Sequence, residues 1–109
     1  MPYDEGLAQR IREALEEVPD CVEKKMFGGI GFMVRGNMAC GVHGDELIVR
    51  VGTDQAELAL DNPNVRPFDL TGRPMKGWFW VASSGCEEDT ELKAWVQQGV
   101  AFVLSLPAK

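Results

Sequence analysis

A glycine-rich apolar stretch between residues 25 and 42 most constrains how this chain can fold. It contains Gly28, Gly29 and Gly31, and each glycine inside a helix would cost about 1 kcal/mol relative to alanine. A β-strand tolerates glycine where two backbones approach closely or where a bulge is needed. Arg35-Gly36-Asn37 then predicts a turn, because glycine and asparagine adopt positive φ at little cost. The stretch therefore predicts a β-hairpin over residues 24–42 that other elements must cover.

Helical periodicity of apolar residues predicts two helices, over residues 4–18 and 90–105. A third, short helix is predicted over residues 54–60 from the capping residue Thr53 and the acidic turn that follows it. Asp4 is likewise a residue type that caps helix N-termini, so we expect it to begin the first helix. The apolar residues of the first and last helices fall on one side of each, and we expect helices to cover the sheet.

β-branched and aromatic runs predict three further strands, over residues 46–51, 65–70 and 75–81. His43-Gly44-Asp45 predicts the turn before the first of them. Pro67 lacks an amide hydrogen, so the strand that contains it belongs at a sheet edge. The predicted architecture is a single domain over residues 1–109. It is an α+β fold with a two-layer antiparallel five-stranded sheet and helices, in the order α-β-β-β-α-β-β-α.

Composition narrows the classes of function. The formal net charge is -6, which argues against direct nucleic-acid binding because phosphates attract basic surfaces. No run approaches the roughly 20 apolar residues of a membrane span, and the N-terminus lacks the features of a signal peptide. We therefore expect a cytoplasmic protein that does not bind membranes.

The residues that could carry metal or thiol chemistry are few. Cys21, Cys40 and Cys86 are far apart and form no C-x-x-C motif, so we expect reduced thiols and no zinc site. Cys40 and His43 are close enough in sequence to suggest a thiolate pair, but residues three apart in a strand face opposite sides. A solvent-exposed histidine in a turn is the favoured interpretation. The sequence predicts no catalytic residue, no metal ligand and no cofactor.

Several motifs together resemble the TfoX N-terminal domain family, which is found in TfoX/Sxy regulators of bacterial competence. They are Lys-Met-Phe-Gly-Gly-Ile-Gly-Phe at 25–32, Gly-Asn-Met-Ala at 36–39, Leu-Ile-Val-Arg-Val at 47–51, Gly-Arg-Pro-Met-Lys-Gly-Trp at 72–78, Leu-x-x-Trp-Val at 92–96 and Leu-Pro-Ala-Lys at 106–109. The resemblance implies a two-layer, secretion-chaperone-like α+β fold. It also implies a regulatory or protein-interaction role without catalysis, with a protein partner or a second copy of the chain as the binding partner.

A positive patch is the predicted interaction site on this otherwise acidic chain. The candidate residues are Lys25, Phe27, Gly28, Gly29, Arg50, Arg73, Lys76 and Trp78. Guanidinium and ammonium groups at such a patch would bind a phosphate, a carboxylate or an acidic segment. In the alternative interpretation, Arg50 and Arg73 form structural ion pairs with Asp69 or Glu46. Gly28 and Gly29 then allow a bulge in the strand and close packing.

Trp78 and Trp80 add an independent argument for an interface. Alternation along a strand places both indoles on one face of the sheet, where they demand cover from a helix or from a partner chain. The alternative function is a small-molecule or anion-binding domain, or an enzyme, that uses the Gly28-Gly29 loop together with Arg50, Arg73 and Lys76.

Overall fold

The structure, a computed structural model, describes residues 4–18, 20–26, 29–67 and 77–106. Its elements in chain order are α1 (Glu5–Ala14), β1 (Cys21–Met26), β2 (Gly29–Val34), β3 (Asn37–His43), β4 (Glu46–Arg50), α2 (Thr53–Ala59), β5 (Val65–Pro67), β6 (Trp78–Val81), a 3-10 turn (Ser83–Gly85) and α3 (Asp89–Leu104). The predicted α+β class is confirmed.

All six described strands form one antiparallel sheet in the order β1-β2-β3-β4-β6-β5. The first four strands are a meander, and β6 then pairs with β4 before β5 closes the far edge. Pro67 ends β5 at that edge, as its missing amide hydrogen predicts.

The strand count corrects the prediction from five to six. The expected first strand of the hairpin is two strands, because β1 and β2 pair with each other and Met26 lies opposite Gly29. The chain therefore reverses inside the glycine-rich run, where the alternation of apolar residues indicated one continuous strand. The observed order is α-β-β-β-β-α-β-β-α.

The turn between β2 and β3 is where the sequence predicts it. Arg35 and Gly36 have φ of 54° and 82°, and they connect Val34 to its partner Asn37. Two successive residues with positive φ match the twist of the flanking strands. The next turn is shorter than expected, since β3 extends through His43, which pairs with Glu46.

The helices begin and end close to the predicted residues. Asp4 caps α1 as expected, and its Oδ1 accepts a hydrogen bond from the amide of Leu7 at 3.1 Å. The N-cap of α2 is Gly52 at φ 87°, so the predicted capping role of Thr53 is wrong. No helix among the described residues combines the length and the apolar character needed to cross a bilayer.

The main core lies between one face of the sheet and the helices. Its largest fully buried side chains include Ile11, Phe32, Leu47, Phe79 and Leu92. Helix α3 crosses β3 closely because it carries Gly99 at the contact, where a Cβ would lie 2.5 Å from the carbonyl oxygen of Ala39. The helices therefore cover this face of the sheet, which is called the inner face.

Candidate interaction surface

The face of the sheet that points away from the core is here called the outer face. Alternation along the strands places these side chains on it: Val22, Lys24, Met33, Met38, His43, Glu46, Ile48, Arg50, Arg66, Trp78 and Trp80. Its hydrophobic cluster consists of Met38, Ile48, Trp78 and Trp80. All four belong to strands, and no described helix contributes to the cluster.

Arg50 and Trp78 form the first feature of the outer face. They are directly opposite each other on β4 and β6, and the guanidinium carbon lies 5.4 Å from the centroid of the indole. The same carbon lies 5.4 Å from the ring of Phe102, which comes from α3. Each such cation–π contact contributes about 0.5–1 kcal/mol at an exposed site. Two rings therefore hold the guanidinium in place at the end of β4.

Trp80, two residues after Trp78 on β6, forms the second feature. The guanidinium carbon of Arg66 lies 5.1 Å from its ring, and His43 meets the ring edge-on at 5.6 Å. Arg66 also donates two hydrogen bonds to the carboxylate of Glu46, one of them at 2.7 Å. Trp80 is only 5% exposed, and side chains of neighbouring strands in the same sheet supply part of its cover.

The structure brings together only part of the predicted patch. Arg50 and Trp78 are in contact, whereas exposed Lys25 lies on β1, three strands away from β4 and on the same side as Ile30 of the core. Gly29 is buried within the sheet and presents no side chain. Phe27, Gly28, Arg73 and Lys76 lie outside the described residues, as does Asp69. Glu46 pairs with Arg66 and not with Arg50, which removes one of the two expected ion-pair partners of Arg50.

Three contributors to this surface are not among the residues predicted from the sequence. Helical periodicity places Phe102 on the buried side of α3, and its ring also contacts Arg50. Arg66 sits on a three-residue strand whose register depends on pairing with β6. Lys24 lies on the outer face, whereas its neighbour Lys25, the residue included in the predicted patch, does not. Strand register was the missing information in the last two cases, because a shift of one residue exchanges the faces.

The Cys40–His43 pair has no geometric basis. Cys40 is fully buried on the inner face, and His43 is half-buried on the outer face against Trp80, not exposed in a turn as expected. Burial raises the pKa of the Cys40 thiol far above its ordinary value, with a smaller contribution from Cys21. The thiol is therefore protonated at neutral pH and is not a nucleophile. Among the described residues, no group of histidine, cysteine and carboxylate side chains is arranged to hold a metal ion.

Burial of Cys40 predicts that stability falls in alkaline solution. The unfolded thiol loses its proton above about pH 8.5 while the native thiol keeps it. The free energy of unfolding should then decrease by about 1.4 kcal/mol per pH unit on account of this group. Urea unfolding between about pH 8 and 10, compared with the variant Cys40→Ala, measures the effect. A difference between the two proteins that does not change with pH would contradict it.

A sheet with helices on one face and an aromatic, cationic opposite face defines the class: a two-layer α+β domain with one sheet face not covered by its described helices. The chain belongs to the TfoX N-terminal domain family, whose family model matches residues 13–103, most of the chain. A search of curated proteins found no match. A search of solved structures also found no match.

Proposed function

We propose that this chain is a non-catalytic regulatory domain that binds a protein partner in the cytoplasm through the outer face of its sheet. Membership of the TfoX N-terminal domain family supports a regulatory role. A more specific role in transcription or competence regulation is supported only by the sequence resemblance to this family. The outer face is the part of the chain best suited to contact a partner.

The observation that carries the proposal is the character of the outer face. Met33, Met38 and Trp78 are each partly exposed there: Met33 and Met38 are paired on β2 and β3, and Trp78 lies on β6, on the other side of β4. Aromatic residues, methionine and arginine are enriched at protein interfaces, and contiguous apolar surface on one face of a domain marks interaction sites. By contrast, the outward sides of α1 and α3 carry mainly charged and polar residues.

The alternative function, a small-molecule site or enzyme at Gly28-Gly29, gains no support from the described residues. Gly29 is packed against the backbone of β3, so it contributes close packing and not an open loop. The surface clefts lined by described residues include one beside Arg10 and Cys86 and one beside Arg12 and Glu23. Neither contains Arg50 or Trp78.

Replacing Trp78 with alanine tests the proposed function. The immobilised chain is used to capture proteins from the cytosol of the source organism, and the captured proteins are quantified by mass spectrometry. Trp78→Ala should reduce capture of the specific partner at least tenfold, because buried tryptophans at interfaces commonly contribute 2 kcal/mol or more to binding, as an order of magnitude.

The matched control is Leu104→Ala. Leu104 is also a large apolar side chain at the surface, 42% exposed, but it lies on α3 and not on the outer face. Its replacement should leave capture unchanged. Thermal melts of both variants show that the fold is intact. Capture that depends equally on Leu104 and Trp78, or on neither, would rule out the outer face as the binding surface.

A further inference from the structure

We infer that the partner presents an acidic segment to the outer face, and that the guanidinium of Arg50 receives one of its carboxylates. This inference rests on the proposed function and names the class of partner. It is carried by two observations that are independent of the family: the distribution of charge over the two sides of the sheet, and the way Arg50 is held.

Charge on the outer face is opposite to that of the whole chain. The chain has a formal net charge of -6, with 17 carboxylate residues against 11 basic ones. Among the described residues, Lys24, Arg50 and Arg66 project from the outer face, and Glu46 is the one carboxylate among its side chains. The other described carboxylates lie on helices and turns or, like Glu23, point toward α1. A cationic face on an acidic protein favours an acidic partner and repels a basic one.

The surroundings of Arg50 point to a carboxylate. Arg50 is half-buried, its guanidinium contacts the rings of Trp78 and Phe102, and no carboxylate among the described residues forms an ion pair with it. Stacking on aromatic rings leaves the N–H groups in the guanidinium plane available as donors. Those donors match a carboxylate in a two-bond geometry, and the rings limit the freedom that binding would otherwise remove.

Arg66 provides an internal comparison. It lies on the same face and stacks on Trp80, yet its donors are already satisfied by Glu46. The two arginines thus share the same arrangement on an aromatic ring, and they differ in whether a described residue supplies the carboxylate. The Arg66–Glu46 contact shows the arrangement that a partner carboxylate would reproduce at Arg50.

Two synthetic peptides test the inference without knowledge of the natural partner. One alternates glutamate with leucine, and the other replaces every glutamate with glutamine; both carry a fluorescent label for anisotropy titration. The folded chain should bind the glutamate peptide at least about tenfold more tightly, as expected for hydrogen bonds between charged groups. Arg50→Gln should abolish this preference, and Trp78→Ala should weaken binding of both peptides. Lys93→Gln, an exposed cation on α3, is the matched control and should change neither affinity.

Several results would overturn the inference. They are equal affinity for the two peptides, no binding of either, a preference that survives Arg50→Gln, and tighter binding of a single-stranded oligonucleotide than of the glutamate peptide. A concentration-dependent dimer that Arg50→Gln dissociates would show that a second copy covers the face, and would also overturn it. These failures are separate from failure of the proposed function, which is decided by the dependence of capture on Trp78.

Discussion

Replacing Phe79 with alanine should lower the free energy of unfolding by about 3–5 kcal/mol, a large part of the stability of a domain this size. The Phe79 side chain is fully buried at the centre of the main core. Its ring meets the indole of Trp95 edge-on at 5.3 Å, so it connects β6 to α3. Removing the ring leaves a cavity that the close-packed backbone of the sheet cannot collapse to fill. Urea denaturation followed by tryptophan fluorescence measures the loss.

The adjacent residue is the natural control, because strand alternation places it on the other side of the sheet. Trp78 is larger than Phe79 but is half-exposed on the outer face. Trp78→Ala should therefore cost less than half as much stability as Phe79→Ala, while it removes partner binding. Equal losses for the two variants would mean that the outer face is as closely packed as the core, and that the proposed binding surface does not exist in this form.

Much of the fold could be predicted from local patterns because each pattern has a direct physical cause. The 3.6-residue period located the first and last helices, and Asp4 was recognisable as a cap from its position before the first apolar residue. Gly36 marked a turn because glycine adopts positive φ at little cost, although the second residue with positive φ is Arg35 and not the expected Asn37. Pro67 placed its strand at an edge. Each of these inferences depends on a few neighbouring residues only.

The errors in the fold arose where local chemistry allowed two structures. The glycine-rich run fits either one bulged strand or two antiparallel strands. The pairing of Met26 with Gly29 shows that the chain forms two strands. Thr53 is a good capping residue, but Gly52 at φ 87° leads directly into α2 and takes the cap position. There, a Cβ on Gly52 would lie 2.7 Å from the ring of Phe102, a tertiary contact that no local pattern contains.

The candidate site was harder to predict than the fold because it depends on strand register and strand order. Arg50 and Trp78 are 28 positions apart in the chain, and their contact requires β6 to insert between β4 and β5. Lys25 was included on the basis of charge alone, and strand order removes it from the vicinity of Arg50. The shared face of Trp78 and Trp80 was predictable, since it follows from alternation within one strand.

Gly29→Ala should lower the free energy of unfolding by about 3 kcal/mol, the upper end of the usual range for overpacking. A Cβ on Gly29 would lie 2.2 Å from the carbonyl oxygen of Val42 and 3.3 Å from the Cα of His43, so β2 and β3 would have to separate. Gly44→Asn is the control, because Gly44 has φ 63°, which asparagine tolerates, and no atom lies within 4 Å of its added Cβ.

The same pair of variants decides between the two interpretations of the glycine-rich run. If Gly29 is needed for close packing of the backbone, the folded fraction of Gly29→Ala should bind the glutamate peptide with unchanged affinity. The urea concentration at the midpoint of unfolding should then fall. If Gly29 belongs to a ligand loop, affinity should fall while the midpoint stays near that of Gly44→Asn. The 2.2 Å separation from a main-chain oxygen favours the first result, because backbone, unlike a flexible side chain, cannot move aside without disturbing the pairing of the sheet.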